Sequence, residues 1–600
     1  MPLIDPRQID FLLDDVLGLD QILALPAFRG HDRAGVAQVL ATAERLAVDA
    51  FLPSYARLDA NEPVMENGRA VLPDEIAGAL GAYRDAGFFG MTAEPEHGGL
   101  GLPRLAANAA FLWFQAANVS IANYALLTMS AAELLARHAS AEQKARYMAP
   151  MIEGRFLGTM ALSEPHAGSS LGDLTTTARP RPDGTYALRG TKMWISGGEH
   201  DMAENIVHLM LARIAGAPAG VKGISLFIVP RRRLDAANRP AQWNNIALAG
   251  LNHKMGQRGT VNTILNVGES GETIGEIVGA PGEGLAAMFT MMNEARIGVS
   301  MGAVAHASAG FLHSLAYARE RRQGRRPDAK DPASPQVPLT EHADVRRMLL
   351  QQKAAAEGGM ALGLHLARLA DLKAAAEDAP ARTDAALLLE LLTPVFKAWI
   401  SEECLTANSH AMQVLGGAGY TRDHPLEQHY RDNRLNPIHE GTNGIQAIDL
   451  TARKLALAEG RALRLLLADM RAGLAAATGT GAFDPDELAG LGRLFDTLEE
   501  AAHQLSALRA QKGAHEALAR AGDMMDLMGT AVFAWIWVLQ ATAAARARAS
   551  GRPVDRDFLA GKIATAGYVL QQALPRGTAA FARMRTARPA ALHMRDEWFG

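Results

Sequence analysis

The 600-residue sequence contains a single cysteine, Cys404. One cysteine cannot form an intrachain disulfide or an all-thiolate metal site, and so few thiols suit a reducing compartment. We therefore expect a cytoplasmic protein. Because 48% of the residues are hydrophobic and a lone cysteine behaves as a small apolar side chain, we expect Cys404 to lie in a core rather than to act as a nucleophile.

The chain also lacks a marked net charge, since 60 Lys and Arg residues oppose 64 Asp and Glu residues and leave −4. A charge this small excludes association with nucleic acid or membranes through a global positive field. Residues 501–600 differ, with 13 basic and 7 acidic residues. These charges are interspersed and no aromatic stacking platform accompanies them, which favours solvated faces or intersubunit ion pairs over a nucleic-acid surface.

A cationic signal segment is missing from the start of the sequence, MPLIDPRQIDFLLDDVLG, which predicts a short amphipathic helix. The run Leu527–Ala545 carries no charge over 19 residues, enough to cross a bilayer about 30 Å thick. Alanine, glycine, threonine and glutamine dilute its large apolar side chains, which favours a helix packed inside the protein. We therefore expect no transmembrane segment.

The hydrophobic pattern changes along the chain between helical spacing and short β-rich runs. Apolar residues from Ile297 to Leu315 recur at spacings of four and three, the stripe of one long packed helix. Asp484-Pro485-Asp486-Glu487 predicts an N-cap with a capping box after a Gly-Thr linker. The fold prediction is α+β, mostly α. The predicted parts are an N-terminal helical domain (1–155), a small antiparallel β-domain (156–280), a helical domain (281–457) and a helical C-terminal extension (458–600).

Three short segments are suited to chemistry. Met160–Ser170 (MALSEPHAGSS) follows a predicted strand, where amides and hydroxyls can approach a planar cofactor or phosphates closely. The GGAG run from Gly416 is a second close-approach loop, but without G-x-G-x-x-G it excludes a Rossmann site. Glu440 precedes a glycine in a turn, where its carboxylate suits catalysis and capping equally. His424 and His429 are five residues apart and no H-E-x-x-H occurs, so we expect no metal site.

Five segments in sequence order resemble the acyl-CoA dehydrogenase flavoprotein family, over roughly Glu94 to Leu457. They are Pro95–Gly101 (PEHGGLG), Leu162–Ser169 (LSEPHAGS), Lys192–Ser196 (KMWIS), Gln413–Tyr420 (QVLGGAGY) and Glu440–Gln446 (EGTNGIQ). The resemblance implies a helical domain, a β-domain, a four-helix bundle and an FAD cofactor. The length and the extension are similar to a long bacterial subgroup of that family.

The resemblance also implies a set of cofactor contacts. Those expected to contact the isoalloxazine are Met160, Leu162, Ser163, Trp194 and Ser196, with Ser169 near the pyrophosphate and Thr442 as a further contact. In this family FAD is held across a subunit interface, so a homo-oligomer, with a dimer favoured, is implied. Those expected to reach the FAD of a neighbouring subunit are Arg321, Gln323, Gln413, Gly416 and Gly417. For Trp194 the alternative is an ordinary buried core residue.

Glu440 matches the catalytic base of the family. A thioester α-proton is weakly acidic, and a carboxylate taken out of water becomes a better proton acceptor. The resemblance implies that the Glu440 N–H and a flavin hydroxyl stabilise the enolate oxygen, and that the β-hydrogen leaves as hydride to give a trans-2-enoyl-CoA. Arg296 would face the CoA, with a surface salt bridge as the alternative, and Gly441 would contact the substrate. Some members carry the base just before this arginine, but that position is Ala295, and Glu294 lies about 100° round the helix.

The sequence departs from the family pattern at two places. The usual Arg-x-Gln-Phe-Gly is Arg321-Arg322-Gln323-Gly324-Arg325, which removes an aromatic residue expected near the adenine of a neighbour's cofactor. A glutamine often found four residues after the base is Gly444.

The resemblance predicts an FAD-dependent acyl-CoA dehydrogenase of fatty acid metabolism that passes electrons to electron-transfer flavoprotein. The substrate would be 3-methylmercaptopropionyl-CoA or another short or medium acyl-CoA. Two alternatives stay open: an acyl-CoA oxidase-type enzyme that uses dioxygen, and a non-metabolic flavoprotein that binds nucleic acid through its basic end. Chain-length preference depends on generic apolar side chains placed in three dimensions, so the sequence does not fix it.

Overall fold

The computed structural model describes residues 3–551 and 553–600. The chain forms two compact units. The first, which we term the helical unit, contains the described residues of Met1–Val36, Pro103–Ala109 and Val299–Gly600. The second, which we term the sheet unit, contains Ala37–Leu102 and Ala110–Gly298. Most described residues are helical, and the prediction of a mostly α, α+β fold is confirmed.

Helices account for most of the helical unit and also occur in the sheet unit. The α-helices are α1 (Pro6–Phe11), α2 (Leu19–Leu23), α3 (Arg33–Leu46), α4 (Tyr55–Ala60), α5 (Asp74–Asp85), α6 (Arg104–His138), α7 (Ala141–Gln143), α8 (Ala149–Ile152), α9 (Gly284–Glu320), α10 (Ala343–Ala375), α11 (Ala379–Val395), α12 (Ser401–Leu415), α13 (Leu426–Asn433), α14 (Asn443–Asp449), α15 (Arg461–Ala477), α16 (Pro485–Lys512), α17 (Ala514–Leu518), α18 (Ala521–Ala549), α19 (Arg556–Met584) and α20 (Ala590–His593). A π-helical segment, Phe396–Ile400, joins α11 to α12.

The sheet unit is built on one large β-sheet. Its strands are β3 (Phe156–Ala161), β4 (Thr177–Pro180), β5 (Tyr186–Ser196), β6 (Asn205–Ile214), β7 (Ile224–Pro230), β10 (Ile246–Leu251), β11 (Asn262–Val267) and β12 (Thr273–Val278), and the smaller pairs are β1 (Val64–Glu66) with β2 (Arg69–Val71) and β8 (Arg232–Leu234) with β9 (Pro240–Trp243). The large sheet has the order β10-β11-β5-β12-β7-β6-β3, and β4 pairs with β5 and β6.

The large sheet is mixed, so the prediction of an antiparallel β-domain was wrong in this respect. Strands β3 and β4 each run parallel to β6, while the other pairs are antiparallel. Parallel pairing needs a long crossover rather than a tight turn. The chain between β3 and β6 provides it, because it carries β4 and β5 before returning to the sheet.

A hairpin, β1–β2, interrupts the region predicted to be helical. Asn67 and Gly68 connect the two strands with φ of 49° and 76°. Two-residue hairpin turns prefer positive φ at both central positions, and Asn-Gly is their strongest sequence signal. The dipeptide therefore indicates the hairpin, although the helical prediction for residues 1–155 does not include it.

The C-terminal extension belongs to the core of the helical unit. Helix α18 is buried over nearly its whole length, and Trp537 is 0% exposed, which confirms the predicted interior helix. By length and composition α6 and α18 are long and apolar enough to span a membrane, but 67% and 89% of their most apolar windows are buried in the protein. The predicted cap at Asp484 is confirmed, with a capping box to Glu487.

The extension also packs against the first helix of the chain. Lys562 of α19 is fully buried, and its Nζ donates to Oε2 of Glu357 on α10 at 2.5 Å and to the side chain of Gln8 on α1. The rings of Phe11 and Phe558 meet edge to face at 5.7 Å. Helices α1 and α19 therefore share one core.

Candidate active site

The chain that follows β3 is held by a buried lysine. Lys192 of β5 is 0% exposed, and its Nζ donates to the backbone oxygen of Leu162 at 3.0 Å and to Oε1 of Glu164 at 2.9 Å. The N–H of Met193 donates to the backbone oxygen of Ser163 at 3.0 Å. These bonds fix the direction of the chain at the end of β3.

Glu164 completes this arrangement. Its Oε2 accepts from the N–H and the hydroxyl of Thr175 at 2.7 and 2.8 Å, and its Oε1 accepts from the N–H of Thr176 at 3.0 Å. Burial raises the pKa of Glu164, but the Lys192 ammonium and these hydrogen bonds outweigh burial and lower the pKa to about 2. Burial lowers the pKa of Lys192 against the attraction of Glu164. Glu164 is therefore ionised at neutral pH and anchors the strand end.

Trp194 occupies a bulge in β5. The pairing of β5 with β11 shifts register between Thr263 and Leu265, and Trp194 has φ of 64°. A bulge tolerates a residue with positive φ because it leaves one position without a partner in the neighbouring strand. The side chain at that position departs from the usual alternation between the two faces of the sheet. The indole is 56% exposed, so the alternative of a buried core residue was wrong.

The remaining predicted flavin contacts of the sheet unit differ in exposure. Met160 and Ser163 are half-buried, whereas Leu162 is buried within the core. Ser196 accepts a hydrogen bond from Nδ2 of Asn262 at 3.1 Å. Ser169 is exposed in the loop after the strand end. Leu162 and Met160 pack on the core, whereas the serines present polar groups towards the surface.

Arg296 lies on α9 and is 7% exposed, so a surface salt bridge does not describe it. Its Nη1 donates to Oδ1 of Asn293 at 3.1 Å, and its guanidinium carbon lies 5.8 Å from the centre of the Phe289 ring. The preceding Ala295 is buried and carries no titratable group, and Glu294 is half-buried. Arg296 is therefore a buried guanidinium that is hydrogen-bonded within its own helix.

Glu440 lies in the turn between α13 and α14 in a strained conformation. Its φ is 55°, and Gly441 follows with φ of 87°. The positive φ favours glycine at position 441, and a Cβ there would lie 2.6 Å from Nε2 of Gln446 and displace that amide. The same Nε2 donates to the backbone oxygen of Glu440 at 3.2 Å. Left-handed residues other than glycine persist where the surroundings over-determine them and cluster at functional sites.

A row of polar side chains lies behind this turn, in which half-buried His439 is followed by three buried asparagines. Nε2 of His439 hydrogen-bonds to Oδ1 of Asn436 at 3.2 Å, Nδ2 of Asn436 donates to Asn433 at 2.9 Å, and Nδ2 of Asn433 donates to Asn408 at 2.6 Å. Burial, together with the nearby Lys397, lowers the pKa of His439 to about 3. A neutral imidazole therefore donates from Nε2 to the amide oxygen, because that oxygen can only accept.

The residues predicted to reach a neighbouring subunit lie at the surface of the helical unit. Arg321, Gln323, Gln413, Gly416 and Gly417 are all exposed. The backbone of Arg321 and Gln323 bonds to Leu339 and Val337 across the loop after α9. Thr442 is exposed and caps α14, since its Oγ1 accepts from the N–H of Ile445 at 3.3 Å. The structure thus gathers the strand-end residues in the sheet unit, and the base turn and the exposed residues in the helical unit.

Sequence reasoning missed several residues that shape these sites. The KMWIS motif contains Lys192, but nothing marks it as the partner of Glu164. Asn443 is equally unmarked, although its side chain bonds to Lys397 and Glu402. His424, in the turn before α13, pairs with His313 of α9 at 3.0 Å, a contact that spacing along the sequence does not reveal. Such pairs become visible only when the elements that carry them are placed in space.

The chain matches four family models over most of its length. Residues 37–155, 159–265 and 282–455 match the N-terminal, middle and C-terminal domains of acyl-CoA dehydrogenase, and residues 466–595 match the family described as acetyl-CoA dehydrogenase C-terminal like. The extension therefore corresponds to a recognised domain.

Relatives of similar length share this organisation. A 3-methylmercaptopropionyl-CoA dehydrogenase of Ruegeria pomeroyi is 37% identical over 96% of this chain and 97% of its own. A broad-specificity linear acyl-CoA dehydrogenase of Mycobacterium tuberculosis is 32% identical over 94% of both chains. The crystal structure of an acyl-CoA dehydrogenase complexed with FAD from Bacillus anthracis covers 99% of this chain and 92% of its own at 20% identity, with a TM-score of 0.75. Sequence and fold therefore agree with the predicted resemblance, and the chain belongs to the acyl-CoA dehydrogenase family.

Proposed function

We propose that this protein is an FAD-dependent acyl-CoA dehydrogenase that removes the α-proton and the β-hydrogen of an acyl-CoA thioester and releases a trans-2-enoyl-CoA. The observation that carries the proposal is a carboxylate, Glu440, fixed in a left-handed turn in a chain that matches all three dehydrogenase domains. The full-length relatives bear acyl-CoA dehydrogenase names.

The sheet unit has features that fit a flavin. An indole that is 56% exposed projects from a bulge beside a strand end whose backbone is tied down by Lys192. An exposed planar ring next to fixed polar groups suits a planar, partly polar cofactor. The residues that would hold FAD are Met160, Leu162, Ser163, Ser169, Trp194 and Ser196, with Thr442 as a further contact. Bound FAD supplies the acceptor for the hydride that leaves the β-carbon.

Glu440 is the proposed base. Its carboxylate takes the α-proton, and its backbone N–H donates to the thioester oxygen on which negative charge develops. Gln446 holds the carbonyl of the same residue, so the peptide group that follows Glu440 is oriented before substrate binds. Arg296 would contact the CoA portion and Gly441 the acyl thioester.

A homodimer completes the proposed cofactor site. Arg321, Gln323, Gln413, Gly416 and Gly417 are exposed, and each would reach the FAD of the partner. Tyr420, which ends the same loop, is 85% exposed. Large aromatic residues are enriched at protein interfaces, so this loop is suited to a subunit contact.

We further propose that the enzyme works in the cytoplasm in fatty acid metabolism and passes electrons to electron-transfer flavoprotein. The relative with 37% identity is named for 3-methylmercaptopropionyl-CoA and the relative with 32% identity for linear acyl-CoA thioesters. The first of these names supports a short acyl-CoA as substrate, and the second supports an unbranched one.

The test is an acyl-CoA panel with the purified yellow protein. Methylthiopropanoyl, butanoyl, octanoyl and palmitoyl thioesters are added under argon and in air, and flavin absorbance and dye reduction are followed. A dehydrogenase bleaches under argon and needs the dye or electron-transfer flavoprotein for turnover. Rapid turnover in air with hydrogen peroxide would instead identify an oxidase, and no bleaching with any thioester would overturn the proposal.

A further inference from the structure

The π-helical segment Phe396–Ile400 lies between the base turn and the C-terminal extension. It follows Pro394, which interrupts the hydrogen bonding of helix α11 because proline has no N–H. Lys397, Ala398 and Trp399 are adjacent and all buried. π-Helical segments also occur at Leu12–Val16, Ala47–Phe51, Lys144–Met148 and Leu450–Lys454. Phe396–Ile400 is therefore distinguished by its contacts.

One side of this segment is bonded to the base turn through Asn443. Oδ1 of Asn443 accepts from Nζ of Lys397 at 3.1 Å, and Nδ2 donates to the backbone oxygen of Ala398 at 3.1 Å and to Oε1 of Glu402 at 2.9 Å. Asn443 lies three residues after Glu440, and its N–H donates to Pro437 at 3.1 Å, across the turn. The side chain of Asn443 therefore fastens the base turn to the π-helical segment.

The other side of the segment is bonded to the extension through Trp399. Its Nε1 donates to Oδ1 of Asp526 on α18 at 3.4 Å, and its ring lies 5.0 Å from that of Phe533. The guanidinium of Arg576 from α19 lies 4.9 Å from the same ring and binds Asp526 at 2.7 Å. Helix α18 comes closest to Trp399 at Gly529, where an added Cβ would lie 2.2 Å from the indole.

We propose that the extension positions the catalytic base, with Trp399 and Asn443 as the positioning residues that transmit the placement of α18 to Glu440. Three features of the structure support this role. Helix α14, which begins at Asn443, packs directly on α18; both positioning residues are on or bonded to one five-residue segment; and the turn they hold is strained. The inference rests on the proposed function, because it assumes that Glu440 removes the α-proton. Displacement of a reacting group by about 1 Å can reduce the rate about 100-fold.

The first test is Gly529→Ala, which forces Trp399 away from α18. We expect kcat to fall at least tenfold, while KM for acyl-CoA and the FAD content change less than about twofold. The kcat–pH profile should also shift, since a displaced carboxylate meets different surroundings. Two matched glycines serve as controls: Gly522→Ala on α18 meets nothing within 4 Å, and Gly473→Ala on α15 presses on α18 at Nε1 of Trp535, 2.9 Å away.

The control at Gly473 separates positioning from loss of stability. Gly473→Ala strains α18 at Trp535 rather than at Trp399. It should therefore lower the melting temperature but leave kcat and the pH profile near those of the parent. Equal losses of kcat in Gly529→Ala and Gly473→Ala would overturn the proposal, because the effect would then follow stability alone.

A double-mutant cycle tests the path itself. Asn443→Ala should lower kcat by a similar factor, and the double variant Gly529→Ala/Asn443→Ala should lose less than the product of the two factors, because both changes break one connection. If the kcat loss of the double variant equals the product of the two single losses, the two residues act independently and the connection is refuted. An unchanged kcat in a Gly529→Ala variant whose Trp399 has moved would also refute it. If Glu440→Gln keeps full activity, the proposed function fails instead, which is a separate and recognisable result.

Discussion

The strand end around Lys192 and the turn around Glu440 are built in different ways. In the sheet unit, one buried ion pair and a few backbone bonds join segments within a single sheet, 28 residues apart in sequence. In the helical unit, the turn depends on side chains from α12, α13 and the π-helical segment, and the row behind it reaches Asn408. The strand end is therefore held by a few local contacts and tolerates few substitutions. The base turn depends instead on the packing of a whole domain.

Loss of the proposed base should give the largest effect on activity. Glu440→Gln keeps the shape of the side chain but removes its ability to accept a proton, so kcat should fall about 10²- to 10⁴-fold. Anaerobic bleaching of the flavin by acyl-CoA measures this. Glu294→Gln is the control, because it removes the other carboxylate near the alternative base position and should stay within about twofold of the parent. Bleaching at the parental rate in Glu440→Gln would contradict the assignment.

Breaking the buried ion pair should give the largest effect on stability. Lys192→Met leaves the Glu164 carboxylate buried without its cation, which costs about 3–5 kcal/mol in the free energy of unfolding. Urea denaturation measures this, with the exposed Lys222→Met as control, expected within about 0.5 kcal/mol. Lys192→Met combined with Glu164→Gln should recover part of the loss. A double variant less stable than Lys192→Met would show that the pair is not the cause.

Acid should weaken the row behind the base turn before it affects the strand end. Burial lowers the pKa to about 3 both for His439 in this row and for His429 of α13, which pairs with His306 of α9 at 3.0 Å. Between about pH 6.5 and 3 the unfolded chain therefore binds protons that the folded chain does not. Each imidazole then removes up to about 1.4 kcal/mol of unfolding free energy per pH unit. The lowered pKa of Glu164 gives stability that is lost only as pH falls from about 4.5 through 2. Urea denaturation at pH 7, 6 and 5 measures the slope.

The control for this pH dependence is His429→Gln. It removes one of the titrating imidazoles, so its stability should fall less steeply than that of the parent between pH 6.5 and 5. An identical slope would show that His429 does not contribute.

The smallest expected effect concerns the cap after the base. Thr442→Ala removes the acceptor for the Ile445 N–H, which should cost about 1 kcal/mol of stability. Thr442→Ser keeps the hydroxyl and should stay close to the parent in thermal unfolding. If the alanine variant were as stable as the serine variant, the hydroxyl would not stabilise α14.

The sequence predicts the parts of this protein whose signals are local. The capping box at Asp484, the interior helix around Trp537 and the change from helical to strand pattern all depend on residues close in sequence, and the structure contains each of them. The parallel pairing of β3 with β6 and the exposure of Trp194 were not predictable, because register and bulges depend on which strand lies beside which.

The candidate site divides in the same way. The motifs mark Glu440 and the strand end, but their supports come from elsewhere in the chain. Lys397 is an ordinary lysine in the sequence, and its burial beside Asn443 follows only from the packing of α11, α12 and α14. Local patterns thus identify the reacting groups, and tertiary packing determines what orients them.

The contact between α1 and α19 has a consequence for biosynthesis. Gln8 and its partner Lys562 are 554 residues apart, and ribosomes add about 5–20 residues per second. The first helix of a nascent chain must therefore wait roughly half a minute to two minutes for the segment that covers it. During that time the part of α1 that contacts α19 is available to chaperones, and truncation before α19 would leave Phe11 without its ring partner Phe558.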